Sequence, residues 1–417
     1  MTYPARRVST LPLSGVTVSR DPREATFFQD PYAFDAERHA EGTAFYWADF
    51  GHWCFVGWGE VNALLRDRRF GRQILHVASR AEVGLAEPKA HLKDFDGVEA
   101  HSLLELEPPE HTKLRSLVTR AFVSRHVERL RPVVEAFAHQ LIDGFAGKGE
   151  VELIEAFAMP VPVTIIADML GVPREMTGKL LDWSHTMVRM YMFSHSEADE
   201  LAANRVAAEF RDYLKSLVAE RRRAPREDLI SHMITAEQDG GKLTEDELIS
   251  TTILLLNAGH EATVHQTGNA VKTILHSGLD PKALFANPEA AAATVEECLR
   301  FDPPLHMFTR WALSDLTLEG GIVLKKGDEI GLMLAAANRD PQRFPDPGRF
   351  DPARADNANV SFGAGIHFCI GAPLARIELQ VALKVLFDRL PGLRLAGAPH
   401  YRDSYHFHGL DRLDLAW

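Results

Sequence analysis

The stretch from Thr244 to Gly278 constrains the fold more than any other part of the chain. Thr244 and Glu247 make a capping box, a hydroxyl and a carboxylate three residues apart that satisfy the first free N–H groups of a helix. Apolar residues follow at Leu248, Ile249, Ile253, Leu254, Leu255 and Leu256 and resume at Val264 and Val271, and the pattern ends near His276, ahead of Gly278. About 32 residues rising ~1.5 Å each give roughly 48 Å. A helix that long and that apolar must cross the protein and be central. Its middle, Asn257-Ala258-Gly259-His260-Glu261-Ala262-Thr263, is polar and carries a glycine that costs about 1 kcal/mol relative to alanine. Chemistry is expected at this polar, weakened turn.

The rest of the chain divides by texture. Aromatic and β-branched runs at Ala44–Trp47 and Trp53–Val56 flank Asp49-Phe50-Gly51-His52 and predict a hairpin. Residues 71–106 lack periodicity and read as a long loop with short helical pieces, a kind of segment that is usually functional or disordered. Helical periodicity dominates from Pro109 to about Leu299, where Pro108-Pro109 opens one helix and Leu170-Gly171-Val172-Pro173 separates two more. After Pro303-Pro304 come short strands at Leu316–Leu318, Ile322–Leu324 and Glu329–Leu334, then a Pro-rich loop and a last helix from about Ile370 to Arg389. Glu220-Arg221-Arg222-Arg223 reads as a solvated helix end. Strand at both ends and helix between predicts one intertwined, mainly helical α+β unit over 1–417: a β-rich part at about 30–70, a helical core at about 109–300, and a β and loop region at about 305–417.

Composition excludes several classes. The net charge of −12 argues against nucleic acid as a partner. Three widely spaced cysteines, Cys54, Cys298 and Cys369, exclude a disulfide framework and suit a reducing cytosol. No window approaches a membrane span, and around Arg6 and Arg7 the residues Pro4 and Pro12 and polar neighbours replace a signal core. A cytoplasmic protein is expected.

Three motifs carry chemistry. His260-Glu261 with His265 imitates a zinc-hydrolase helix, but five residues turn a helix by about 140°, so the two histidines cannot share a metal on one face. In Phe362-Gly363-Ala364-Gly365-Ile366-His367-Phe368-Cys369-Ile370-Gly371, two glycines allow a tight backbone and Gly371 allows close approach beyond the thiol. Cys369 precedes the last helix, whose free N–H groups favour a thiolate. A thiolate presented on such a loop toward a flat partner meets what axial thiolate ligation of haem iron requires. Lastly, Glu297 and Arg300 repeat a spacing also found at Glu128/Arg131 and Glu220/Arg223. Only the first pair is followed by Phe301-Asp302-Pro303-Pro304 and an Arg-rich loop containing Arg339, Arg349 and Phe350. A buried Glu flanked by guanidinium groups would lock that loop.

In order along the chain, Glu107-Pro108-Pro109-Glu110-His111-Thr112-Lys113-Leu114-Arg115, Ala258-Gly259-His260-Glu261, Glu297/Arg300, Arg349-Phe350 and the Cys369 loop resemble the soluble bacterial cytochrome P-450 family, haem-thiolate monooxygenases. The resemblance covers nearly the whole length. It implies that fold, with a long distal helix, small sheets and a Cys-ligand loop, and haem b held by the Cys369 thiolate. It implies Glu297, Arg300 and Arg349 as a structural triad. His111, Arg115, Arg310 and His367 would hold the haem propionates, with Phe362, Gly363 and Gly371 shaping the loop.

The reaction implied is insertion of one oxygen atom from O2 into a small, mostly apolar molecule. Glu261, with water near Gly259, would relay protons. The family usually places a hydroxyl residue directly after the acid. Here Ala262 stands there, and Thr263 is rotated by ~100°, which puts the ordinary proton route in question. Pocket walls are expected from Ile74–Leu104, Met187, Met190, Met192, Phe193, Leu255, Ala258, Leu305, Phe308, Phe407 and His408. Electrons would come from a ferredoxin and its NAD(P)H-dependent reductase, docked through Lys113, Arg120, Arg125 and Arg376 on a monomer. Two other readings compete: a peroxygenase driven by H2O2, which Ala262 favours, and a haem-thiolate sensor, which Glu261 disfavours.

Overall fold

The computed structural model describes residues 16–119, 122, 127–192, 195–238 and 243–417. Phe193, Arg120, Arg125 and the N-terminal residues through Pro12 lie outside the described residues. The central helix runs Glu245–Ser277. Thr244 caps it as the sequence predicts: its N–H donates to Glu247 Oε2 at 2.7 Å and its hydroxyl accepts from the Glu247 N–H at 3.1 Å. Gly278 ends it in the left-handed region, at φ 70°, where glycine carries no Cβ penalty.

Around this axis pack Pro160–Leu170, Thr177–Val188, Glu197–Arg223, Pro288–Phe301 and the last helix, Ala372–Arg389. Their apolar stripes merge with it into one large core that includes Ile166, Phe210, Leu248, Val271, Val295 and Leu383. Among the described residues no helix is long and apolar enough to cross a membrane.

A six-stranded sheet lies to one side, in the order Thr17–Val18, Ala44–Trp47, His52–Phe55, Glu329–Met333, Met307–Ala312, Phe70–Gly71. The predicted hairpin pairs Ala44 with Phe55 and Trp47 with His52, turning at Gly51 with φ 74°. Met307–Ala312 is an inner strand that the sequence pattern does not reveal, because Thr309 and Arg310 interrupt its apolar alternation. The segment 71–106 is long loop with short helices at Arg80–Val83 and Lys93–Glu99, as expected.

The charge run at the end of Glu197–Arg223 is not wholly solvated. Arg221 is 1% exposed and donates to Asp228 Oδ2 at 2.6 Å and to the Gly171 carbonyl at 2.5 Å. It therefore ties the end of its own helix to the turn after Pro160–Leu170.

The Glu297–Arg300 pair is buried completely, each side chain 0% exposed. Arg300 Nε and Nη2 reach the two carboxylate oxygens at 2.7 Å each. Its remaining N–H groups go to the carbonyls of Asn338, Pro347 and Arg349, at 3.0, 3.0 and 3.1 Å. Glu297 also accepts from the Asp351 N–H at 2.8 Å and Asn357 Nδ2 at 3.0 Å. The expected third member of this group is corrected by the structure. Arg349 is exposed and offers only its carbonyl, because its N–H closes a turn onto Asp346 O that leaves the side chain outside. The second guanidinium near Glu297 is Arg354, with Nε 3.7 Å from Oε1. By contrast Glu128/Arg131 is half in water, and Glu220 pairs with Arg221 and Arg226.

Two outcomes follow from this burial. Arg300→Ala strands the Glu297 carboxylate, at ~3–5 kcal/mol, so denaturant unfolding should show a large loss or no folded protein, while Glu128→Ala shifts the midpoint by no more than about 1 kcal/mol. Glu378 on the last helix is 1% exposed, neither of its oxygens has a partner, and burial raises its pKa from 4.5 to about 8. Between those values the folded state holds a proton that the unfolded state releases, so stability present below pH 4.5 is lost as pH rises toward 8, on the order of 5 kcal/mol. Glu378→Gln should match wild type at pH 4.5 and exceed it at pH 8 in urea titrations.

Candidate active site

The central helix is buried on almost all sides, yet in its middle Ala258 is exposed and Leu254, Gly259 and Ala262 are half-exposed. Residues 254, 258 and 262 are spaced four apart and share one face. That face is left uncovered by the neighbouring helices. Thr263, one residue on, is buried, 7% exposed, so Ala262 alone continues the open face. Gly259 has a packing reason as well: a Cβ there would meet Ile166 Cγ1 at 2.8 Å, so glycine lets helix Pro160–Leu170 lie close.

The Cys369 loop is tight where the glycines suggest. Gly363 and Gly365 have φ 68° and 73°, and the Cys369 N–H donates to the Phe362 carbonyl at 2.9 Å. The last helix starts at Ala372, with Gly371 as its cap. Burial pushes the Cys369 thiol above its ordinary value, against the N–H groups of Gly371 and Ala372 and the Arg115 and Arg376 charges, which favour the thiolate. A metal cation bonded to sulfur would reverse that balance. Phe308 reaches this loop: a Cβ on Gly363 would lie 3.3 Å from its ring.

Beside the loop stand basic side chains, one of them a buried guanidinium without a counter-charge among the described residues. Arg310 is 4% exposed, donates to the Thr309 carbonyl at 2.8 Å, and forms no ion pair with a described carboxylate. Burial, with the neighbouring Arg72 charge, lowers its pKa to about 9. His111 is 2% exposed, its Nε2 has no hydrogen-bond partner, and burial lowers its pKa to about 4. Its ring lies 4.4 Å from that of His367, whose Nε2 is 3.2 Å from Glu107 Oε1. Arg115 Nη2 donates to the Phe368 carbonyl at 2.6 Å. Arg72, which no sequence signal marks, adds a further guanidinium, 2.7 Å from Glu105 Oε1. A buried guanidinium without an ion pair, a buried imidazole nitrogen without a partner, a thiol on a glycine loop and an open helix face suit a flat, dianionic iron porphyrin.

Glu261 turns into a different cluster. It is 4% exposed; Oε1 accepts from His265 Nε2 at 3.1 Å and lies 3.7 Å from Arg402 Nη1, and Oε2 lies near His185 and His260. Burial alone would raise its pKa, but the hydrogen bond and charge of His265, with the His260 and His185 imidazoles nearby, hold it at about 2. His185 and Arg402 come from distant segments and have no motif around them.

The expected pocket walls separate. Leu305, Phe308 and Phe407 are half-buried, Leu305 and Phe407 bridge as backbone partners, and the Phe407 ring lies 6.3 Å from His265. Leu255 is buried, and Met187 is 0% exposed in the main core, its sulfur 3.7 Å from Asn257 Nδ2. His408 is no wall but stacks on Tyr401 at 3.8 Å within a buried network around Asp302. Of the expected docking residues, the two that are described are already paired: Lys113 bonds Glu247 at 3.0 Å and Arg376 bonds Glu296. They are not free charges.

Comparisons with known proteins agree with this geometry. The family model described as Cytochrome P450 matches residues 74–276 and 286–390. The polyketide biosynthesis cytochrome P450 PksS of Bacillus subtilis is 36% identical over 88% of this chain and 90% of its own length. The cytochrome P450 monooxygenase PikC of Streptomyces venezuelae is 36% identical over 94% and 92%. The crystal structure of P450BioI in complex with an acyl carrier protein ligated to hexadec-9Z-enoic acid superposes with a TM-score of 0.87, at 34% identity, over 94% of this chain and 100% of that one. The chain belongs to the cytochrome P450 family: it is a P450 monooxygenase whose cofactor is haem, with the Cys369 thiolate as axial ligand.

Proposed function

We propose that the enzyme inserts one oxygen atom from O2 into a small, mostly apolar organic molecule bound against the open face of the central helix, with electrons from an external ferredoxin and its reductase. The observation that carries this reading is the strip of Ala258 and Ala262, small and apolar, in the middle of an otherwise buried helix. Leu305 and Phe407, which bridge each other, and Phe308, which reaches the Cys369 loop, would supply larger apolar surface. Such walls select by shape and hydrophobicity.

Haem supplies the oxygen-activating chemistry when bound, and the thiolate favours O–O cleavage. The protein's own residues hold, orient and supply protons. Arg310, Arg115, His111 and His367 would hold the propionates, which would give Arg310 its missing counter-charge and the His111 Nε2 a partner. Glu261, ionised at neutral pH, accepts a proton and passes it on through water, since neither Ala262 nor the buried Thr263 offers a hydroxyl on the open face. This gap also favours a second reading, direct use of H2O2. Turnover with NADH, ferredoxin and reductase, against turnover with H2O2 alone, separates the two.

Two measurements test the site. The reduced protein with CO should absorb at the position characteristic of haem-thiolate proteins, and Cys369→Ala should lose this signal while keeping the helical circular dichroism. A histidine-like spectrum in wild type would refute the ligand. General acid assistance is worth roughly 10²–10⁴ in rate, so its weakness at Ala262 should appear as electrons lost to H2O2. Ala262→Thr should lower peroxide released per NADH, most with apolar substrates. Equal, tight coupling in both proteins would mean that another donor serves the site.

A further inference from the structure

Two groups among the described residues bring three potential metal-ligand atoms together: Asp302, His306 and His408, and His185, His260 and Glu261. The first already has its cation, because Lys272 Nζ lies 2.9 Å from Asp302 Oδ2. Tyr32 and Tyr401 hydroxyls donate to the same carboxylate at 2.6 Å each. The second is different.

His260 is 1% exposed, and its Nδ1 lies 2.8 Å from the Leu256 carbonyl. A carbonyl only accepts, so Nδ1 carries the proton and Nε2 presents a lone pair. Burial disfavours protonation of the second nitrogen. That lone pair has no hydrogen-bond partner and lies 3.7 Å from Glu261 Oε2, itself an acceptor. Two buried acceptors facing each other are unfavourable unless a cation lies between them. His185, from helix Thr177–Val188, places Nε2 3.5 Å from the same oxygen. Its side chain is 43% exposed, which gives the cluster an entrance. His265 engages Oε1, leaving Oε2 available.

We propose that His185 Nε2, His260 Nε2 and Glu261 Oε2 form a binding site for a divalent transition metal ion of zinc's chemistry, distinct from the iron ligand Cys369. Bonds of ~2.1 Å in a tetrahedral zinc site put ligand atoms roughly 3.4 Å apart. Two separations here are 3.5 and 3.7 Å, and all three atoms lie within 4.8 Å of one another. A small rotation of the exposed His185 closes the set, with solvent in the fourth position. The Leu256 carbonyl fixes the His260 tautomer, as outer partners of metal-bound histidines commonly do. The Arg402 guanidinium, 3.7 Å from Oε1, opposes the ion and tempers its affinity. A metal on Oε2 would also withdraw Glu261 from proton transfer, so zinc should inhibit turnover. That consequence rests on the proton role proposed above, whereas binding does not.

The test is equilibrium dialysis of the haem-loaded enzyme against ZnCl2. Wild type should bind one zinc ion that His185→Ala and Glu261→Gln each weaken about 10–100-fold. His232→Ala, a variant at an exposed histidine on another helix, should leave it unchanged. His185 is exposed enough that its variant should fold, and an unaltered CO spectrum checks this. Identical zinc isotherms for wild type and His185→Ala would overturn the site. Zinc binding lost in His185→Ala, without inhibition of wild-type turnover, would uphold the site and refute the proton role of Glu261.

Discussion

Everything on the thiol side of the molecule hangs from Arg300. Its five N–H groups, the full capacity of a guanidinium, are spent on one carboxylate and three carbonyls from separate parts of the following loop. A buried charge is costly unless it is paired and hydrogen-bonded throughout, so none of these partners can leave singly. The loop 338–361 has little regular structure of its own, and carbonyl capture replaces the ladder it lacks. Asn338 extends the lock, bonding Ser361 Oγ at 2.7 Å and the Val360 N–H at 2.8 Å, one residue before the Cys369 loop begins at Phe362. The position of the thiol therefore depends on a pair of charges more than sixty residues earlier in the chain.

Beside the same loop the opposite condition holds, buried polar groups left incomplete. Arg310 and the unpaired Nε2 of His111 are costly in the protein alone. Such groups persist where a ligand completes them, and two carboxylates of a porphyrin are of the right charge to do so. Glu107 occupies His367 meanwhile, at 3.2 Å, which limits how many cations stand uncompensated. The same reasoning separates this cluster from Asp302, whose four neighbours satisfy it inside the protein.

What was legible in the sequence follows from whether the determinant is local. The central helix declares itself through Thr244, Glu247 and Gly278 because caps act within one turn, and its two ends fall where those residues put them. The Cys369 loop and the Glu297/Arg300 pair are equally local. Arg354 in place of Arg349 could not be read, since two arginines five residues apart in an irregular loop differ only in which way a turn sends them. The strand Met307–Ala312 hid for a related reason: Thr309 and Arg310 interrupt the apolar alternation by which a half-buried strand is read. Arg72, His185 and Arg402 reach their neighbours only through tertiary packing, and nothing beside them in the chain marks it.

The central helix shows how one segment reconciles these demands. On one face Gly259 is small so that Ile166 can approach; on another Ala258 and Ala262 are small so that a cavity can exist; between them His260, Glu261 and His265 project into a polar cluster. A hydroxyl at 262 would add a donor to the open face but would also need a partner whenever the cavity is filled by apolar matter, and a donor left unpaired there costs about 1–3 kcal/mol. Alanine avoids that cost, and under the proposed reaction proton supply would fall to Glu261 and water. The residue that departs from the family pattern is thus consistent with its surroundings: Leu254, Ala258 and Ala262 make an apolar strip on the uncovered face, and the polar side chains of the same turn lie on the adjoining side.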